Sequence, residues 1–220
     1  MKRFLCVICF CLMLPLPALA DVITLQASGA VDFVSQTALD PLKGKTMSYT
    51  ISYSVPAVPD VLTLDQVQAY YNHSLLSFSA TLDGQSLISS SGIPVITVQN
   101  DSGPSFYDDF EAYGYFTGLN LSFTGIAQTF TSATVYFILR DTSQAVFSDT
   151  SLPTSFDLAK FNLPFLSVTL QPGIGSSATR VDATITSFHT VTPTPAPEPA
   201  TMLLLGLGLM GLAGVRRFKG

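Results

Sequence analysis

The sequence predicts an all-β protein, an antiparallel β-sandwich of about nine or more strands over residues 21–189. Apolar residues alternate with polar ones in several stretches, and residues typical of turns separate these stretches. Such alternation places apolar side chains on one face of a strand, and many short strands between turns favour a sandwich. Because 47% of the residues are apolar and only 11% are charged, the chain has enough apolar surface to fold as one domain.

The strongest strand signal lies at residues 46–55, where every odd-numbered residue is apolar or aromatic and every even-numbered residue is serine or threonine. The same period predicts strands at 23–33 and 76–82, and the second of these runs into Asp83-Gly84, a dipeptide favoured in hairpin turns. The other predicted strands are 93–99, 113–124, 131–140, 156–163, 165–170 and 179–189.

The segments between the strands contain residues that favour loops. Proline, glycine, asparagine, aspartate and serine are frequent there. The predicted loops are 56–59, 100–104, 141–143 and 171–177. One segment, 61–71, has helical spacing, since Leu62, Leu64, Val67 and either Tyr70 or Tyr71 would share a helix face.

Charge and cysteine content exclude several classes of function. Fourteen of the fifteen acidic residues but only five of the ten basic residues lie between Asp21 and Ala196, which leaves an excess of nine negative charges. Without a basic stripe to neutralise phosphates, this body is not expected to bind nucleic acid. All three cysteines lie in the first eleven residues, so we expect no internal disulfide, thiolate metal site or cysteine nucleophile in the body.

Residues 1–20 have the order of a secretory signal peptide. Lys2 and Arg3 give a positive start, residues 4–14 are uncharged and apolar, and Ala18-Leu19-Ala20 is a small-x-small cleavage pattern. The apolar run is shorter than the roughly 20 residues that a membrane anchor needs. We therefore expect export through the Sec translocon and cleavage by signal peptidase, with Ala18 and Ala20 at the cleavage site.

The other end has three consecutive segments. Residues 190–199 form a linker rich in proline and threonine, which favours an extended polyproline conformation. Residues 200–215 are uncharged and would form a short transmembrane helix about 24 Å long. Residues 216–220 are a basic terminus that begins with Arg216 and Arg217, and such a terminus is expected to stay in the cytoplasm.

The order Pro197-Glu198-Pro199, short glycine-leucine helix and Arg-Arg terminus resembles the PEP-CTERM sorting tail of Gram-negative bacteria. The resemblance implies that an exosortase, a membrane transpeptidase, recognises Pro197, Glu198 and Pro199. It also implies a transient stay in the inner membrane, and a place at the cell surface or in the extracellular matrix after sorting. A plain carboxy-terminal anchor on a proline-rich stalk is the alternative.

The body resembles, more weakly, the β-sandwich bodies often attached to such tails. The matching features are Gly29-Ala30-Val31, the lysine-glycine turn before residue 46, Pro59-Asp60 and the stretch around Asp108-Asp109-Phe110. The resemblance implies no molecular activity, because those bodies share no established one.

The search for catalytic motifs predicts a protein that is not an enzyme and uses no cofactor. Two glycine patterns resemble phosphate-binding loops but fail on context. The one at 173–178 is followed by a predicted strand rather than the helix that such a loop requires, and the one at 206–211 lies inside the predicted membrane segment. His73 and His189 are the only imidazoles, and both are expected at the surface. A serine-histidine-aspartate site assembled from distant residues remains open at this point.

The acidic residues of segment 100–111 are weak candidates for calcium. Oxygen ligands gathered on a loop are what calcium requires, but their spacing matches no known loop. We therefore predict no metal site and an ordinary solvated loop. The candidates are Asp101, Asp108, Asp109 and Glu111.

Three functions are compatible with these observations. The leading one is an exported, non-catalytic surface or matrix protein associated with exopolysaccharide or biofilm. The second is a specific carbohydrate-binding module, for which exposed tyrosines would form the platform. The third is a secreted hydrolase. The candidate platform residues are Tyr70, Tyr71, Tyr107, Tyr113 and Tyr115.

Overall fold

The computed structural model describes residues 21–63, 67–102, 107–173 and 176–191, and it confirms the all-β prediction. Within these residues there are twelve strands and two short 3-10 helices, at Thr37–Leu42 and Leu158–Lys160. The strands are β1 (Asp21–Val34), β2 (Thr46–Val55), β3 (Val61–Leu62), β4 (Gln68–Tyr71), β5 (Leu75–Leu82), β6 (Gln85–Ser86), β7 (Val95–Ser102), β8 (Tyr107–Ser122), β9 (Thr129–Asp141), β10 (Leu163–Gln171), β11 (Thr179–Thr184) and β12 (Ser187–Val191).

The strands form one curled antiparallel sheet in the order β3-β4-β7-β8-β9-β10-β11-β1-β2-β5-β6, with β12 paired to β1. The curl produces two layers that face each other. The small layer contains β12, the first half of β1, β2, β5 and β6, and the large layer contains β3, β4 and β7 to β11.

Strand β1 belongs to both layers. Its first half pairs with β12 and its last residues pair with β11. Gly29 lies where the pairing changes, and a Cβ atom there would lie 2.0 Å from the carbonyl oxygen of Thr184. Only glycine fits so close an approach of two backbones.

Aromatic side chains of the two layers fill the core between them. The Tyr49 hydroxyl of β2 donates to the carbonyl of Ser167 in β10 at 2.8 Å. The Tyr53 ring of the same strand packs against Phe110 of β8, with ring centroids 5.9 Å apart. These contacts join β2 to two different strands of the opposite layer, which confirms the sandwich.

Strand β2 has the bounds that its alternation predicts, and Asp83-Gly84 forms the β5–β6 turn with positive φ at both residues. The helical prediction for 61–71 is wrong, because the segment contributes β3 and β4. In β4 the side chains of Ala69 and Tyr71 are buried and those of Gln68 and Tyr70 are not, and β4 pairs with β7. Pairing with a neighbouring strand outweighs the local helical spacing.

Two other predicted strands differ from the structure. Residues 156–163 form mainly a loop with the second 3-10 helix, in which the Asp157 carboxylate accepts a hydrogen bond from the N–H of Ala159. Residues 179–189 form β11 and β12 with a break at Ile185 and Thr186, because the chain passes there from the large layer to the small one.

Candidate functional site

The outer surface of the large layer carries tyrosines and charged groups, and we call it the tyrosine face. Alternation along β8 directs Asp108, Phe110 and Ala112 inward and the odd-numbered residues outward. The neighbouring strands supply the rest of the face through their register. The face consists of Tyr70 of β4, Thr97 and Gln99 of β7, Tyr107, Asp109, Glu111, Tyr113 and Tyr115 of β8, and Tyr136, Ile138 and Arg140 of β9.

An ion pair lies at one end of the tyrosine face. Asp109 and Arg140 are directly opposite each other in β8 and β9, and Nη2 of Arg140 donates to Oδ2 of Asp109 at 2.7 Å. The guanidinium also stacks over the Tyr107 ring, 4.2 Å from its centroid. Oδ1 of Asp109 has no hydrogen-bond partner among the described residues. Burial raises the pKa of Asp109 to about 6, although Arg140 acts to lower it.

Glu111 is the second carboxylate of the tyrosine face. It lies opposite Thr97 on one side and Ile138 on the other, and both neighbours are buried. Burial first, and then the charge of Asp109, raise the pKa of Glu111 to about 7. With a pKa near neutrality, the side chain of Glu111 can accept a hydrogen bond as a carboxylate and donate one as a carboxylic acid.

The four weak metal candidates do not converge on one point. Asp108 points into the core, Asp109 and Glu111 point outward, and Asp101 donates its backbone N–H to Oδ1 of Asp108 at 3.2 Å. The prediction of a loop is wrong for all four residues, because Asp101 lies in β7 and the other three lie in β8. Within the described ranges, no group of three or more histidine, cysteine, aspartate or glutamate side chains could hold a metal ion.

Four of the five predicted platform tyrosines lie on the tyrosine face. Tyr113 stacks on Tyr136, with centroids 5.8 Å apart and an interplanar angle of 21°, and Tyr115 is half exposed. Tyr71 is in the core instead, where its hydroxyl donates to the carbonyl of Thr150. Sequence reasoning missed Tyr136 and Arg140. The alternation in residues 131–140 indicates which face of the strand these two side chains are on, but only the register between β8 and β9 shows which residues they contact.

Both histidines are exposed, and each contacts one side chain of a type that occurs in serine-histidine-aspartate triads. His73 Nδ1 contacts the carboxylate of Asp60, which also accepts from the backbone N–H of His73 at 3.0 Å. His189 Nε2 lies 3.3 Å from the hydroxyl of Ser187. In the part of the chain that the structure describes, neither pair has the third member of a serine-histidine-aspartate triad in its hydrogen bonds.

A cavity of about 350 Å³ opens beside the second 3-10 helix, and we call it the aromatic pocket. Sequence reasoning missed it, because the segment was predicted to be a strand. The pocket is lined by Val146, Phe147, Pro153, Thr154, Ser155, Phe156, Asp157, Lys160 and Phe161.

The predicted sorting and targeting residues lie outside the described residues. These are Ala18, Ala20, Pro197, Glu198, Pro199, Arg216, Arg217 and the helix at 200–215. Among the helices that the structure describes, none is long and apolar enough to cross a membrane.

The carboxy-terminal tail can be compared with known protein families separately from the β-rich body. Residues 195–217 match the family model of the PEP-CTERM protein-sorting motif. The match includes the Pro-Glu-Pro tripeptide and both arginines. The motif indicates that the protein is exported and is anchored in a membrane before an exosortase sorts it. Comparison with curated proteins and with solved structures gave no match.

Proposed function

We propose that this protein is a non-catalytic component of the cell surface or extracellular matrix of a Gram-negative bacterium, where it associates with exopolysaccharide. The observation that carries the proposal is the sorting motif at 195–217 behind an all-β body. Signal peptidase, the Sec translocon and an exosortase would act on the two ends, and the sandwich would remain as the mature domain.

The chemistry of the outer surface of the small layer suits a protein that is located in a hydrated polymer. Most of its outward residues on β1, β2 and β5 are hydroxyl or amide side chains, with Leu76 as an exposed apolar exception, and we call it the hydroxyl face. Thr24 and Ser52 share a hydrogen bond at 2.8 Å, and Ser48 and Thr81 share one at 2.7 Å. Uncharged hydroxyl groups exchange hydrogen bonds with water and sugars at little cost. The hydroxyl face comprises Thr24, Gln26, Ser28, Thr46, Ser48, Thr50, Ser52, Ser54, Ser77, Ser79 and Thr81.

The sorting step is tested with Glu198→Ala in the producing cell. Proline on both sides holds the backbone of Glu198 extended and leaves its carboxylate as the distinguishing group of the tripeptide. We expect export to continue while processing stops, so that full-length protein accumulates in the inner membrane. Intact-mass measurement of each fraction reads the result, with Thr194→Ala in the linker as the matched control. Wild-type protein that still carries Arg216 and Arg217 in the released fraction contradicts the proposal.

The association with polymer is tested by deleting exopolysaccharide synthesis in the same strain. We expect the processed protein to move from the matrix fraction into the medium. Retention of the protein on cells that lack the polymer would show that it binds another surface component.

Specific carbohydrate binding is the second candidate, and the tyrosine face favours it. Aromatic rings offer surfaces for the C–H groups of sugars, and Glu111 offers a hydrogen-bond partner for their hydroxyls. Quenching of tyrosine fluorescence by a neutral oligosaccharide, lost in Tyr115→Ala, would support this candidate. Tyr115 is half exposed, so its removal is expected to leave the fold intact.

A further inference from the structure

Among the described residues of the body, every lysine and arginine except one lies in an ion pair. Lys43 pairs with Asp40, Lys45 with Asp83, Arg140 with Asp109 and Arg180 with Asp182. Among the described residues, Lys160 is the cation that has no carboxylate within 4.0 Å. Within the part of the chain that the structure describes, Lys160 is therefore the cation that can pair with an external anion, against the repulsion that the net negative charge of the body exerts on anions.

Lys160 lines the aromatic pocket together with three phenylalanines. Phe161 is buried, its ring centroid lies 5.9 Å from that of Phe147 and 6.3 Å from that of Phe156, and Phe156 packs on Phe110 of the core at 4.9 Å. The aromatic walls are therefore continuous with the hydrophobic core. The volume of about 350 Å³ lies at the lower end of the range for small-ligand pockets, roughly 300–1,000 Å³.

The loop that forms the pocket is held in place by buried groups of the sheet. Residues 142–157 contain no helix or strand, and loops of this length in compact domains are often functional. Oδ2 of Asp108 accepts from the N–H groups of Val146 and Phe147 at 2.9 and 2.8 Å.

Two core tyrosines hold the far part of the same loop. The hydroxyls of Tyr71 and Tyr53 donate to the carbonyls of Thr150 and Pro153, both at 2.7 Å. Together with Asp108, these two tyrosines fix the loop to the core by hydrogen bonds at three positions. The pocket is therefore preformed, and binding of a ligand requires little ordering of the chain.

We propose that the aromatic pocket binds a carboxylate-bearing sugar unit, a hexuronate of an acidic polysaccharide. The ammonium group of Lys160 would pair with the sugar carboxylate, the phenylalanine rings would contact the C–H face of the sugar ring, and Thr154 and Ser155 would meet its hydroxyls. Asp157 lines the pocket too, and its Oδ1 accepts from the N–H of Ala159 at 3.1 Å. Its negative charge opposes a bound carboxylate, so the proposed binding depends on Lys160 and the aromatic rings together. The inference rests on the proposed association with exopolysaccharide and names the class of sugar.

Ligand-observed NMR on protein purified from the producing cell tests the pocket with three probes at equal concentration and low salt. Glucuronate has both the ring and the charge, glucose has only the ring, and acetate has only the charge. We expect glucuronate to bind with a dissociation constant on the order of 1 mM, and more tightly than either partial probe. Equal binding of glucuronate and glucose, or no binding of glucuronate, overturns the inference.

Variants locate the site. Lys160→Gln is expected to weaken glucuronate binding about fivefold, because it removes the cation of one exposed ion pair with the sugar. Lys160→Arg is expected to retain binding. Lys43→Gln removes an exposed lysine already paired with Asp40 and serves as the control, for which no change is expected. Glucuronate binding by Lys160→Gln at the wild-type level overturns the assignment to this pocket.

A parallel measurement of polymer association separates this inference from the proposed function. Protein that associates with exopolysaccharide in cells but does not bind glucuronate leaves the proposed function standing and overturns the pocket. Protein that binds glucuronate through Lys160 but does not associate with the polymer supports the pocket and overturns the proposed function.

Discussion

The two outer surfaces of the sandwich follow the same period of two residues but differ in chemistry. On the hydroxyl face, short side chains satisfy one another across strands, as Ser48 and Thr81 do. On the tyrosine face, long side chains cover one another, and Asp109 is fully buried although it points away from the core. Large neighbouring side chains on a sheet can therefore desolvate an outward charge, whereas short hydroxyl side chains leave their face hydrated.

The largest loss of stability is expected from a substitution at Gly29, where β1 passes from one layer to the other. Gly29→Ala places a Cβ atom against the backbone oxygen of Thr184, so β1 can no longer serve both layers. We expect the free energy of unfolding to fall by about 3 kcal/mol or more. Chemical denaturation measures it, with Ser28→Ala on the hydroxyl face as the control. A loss below about 1 kcal/mol would mean that the two backbones can move apart easily.

Removal of the buried charge on the tyrosine face is expected to have the next largest effect. Asp109→Ala leaves the guanidinium of Arg140, whose side chain is 28% exposed, without its partner. Breaking such a pair destabilises a protein by about 2–3 kcal/mol when one partner is partly exposed. Asp109→Ala combined with Arg140→Ala should be less destabilising than the sum of the single changes. Additive losses would show that the pair is not coupled.

The pH dependence of stability distinguishes the two faces, because among them only the tyrosine face has carboxylates. The raised pKa values of Asp109, about 6, and Glu111, about 7, mean that the folded state keeps protons that the unfolded state has lost above about pH 4. Stability from these groups is therefore present at pH 4 and declines as the pH rises to 7. The thermal midpoint should fall by a few degrees over this window.

Glu111→Gln provides the control for this pH dependence. It removes one titrating group and should flatten the decline between pH 5 and pH 7. An unchanged slope in this variant would assign the pH dependence to other groups.

The smallest effect is expected on the hydroxyl face. Ser48→Ala removes one partly buried hydrogen bond to Thr81, whose hydroxyl can then bond to water. We expect a loss of about 0.5 kcal/mol, or roughly 1–2 °C in the thermal midpoint. A loss comparable to that of Asp109→Ala would remove the energetic difference between the faces.

The residues that sequence reasoning placed correctly are those with a strong local signal. Strand β2 and the Asp83-Gly84 turn follow from side-chain alternation and from the backbone that glycine permits. The sorting tail also follows from its own sequence, because a linear tripeptide, an apolar run and two arginines need no fold to be recognised.

The sequence alone determined the strand-rich body, the inward and outward faces of its clearest strands and the sorting tail, since each depends on residues close together in the chain. The tertiary structure decided that segment 61–71 forms strands, that Asp108 holds a loop while Asp109 pairs with Arg140, and that Lys160 lacks a carboxylate partner among the described residues. These outcomes depend on register and on layer closure, which bring together residues about 30 to 40 positions apart. Local periodicity contains no information on either, because many pairings bury the same apolar face.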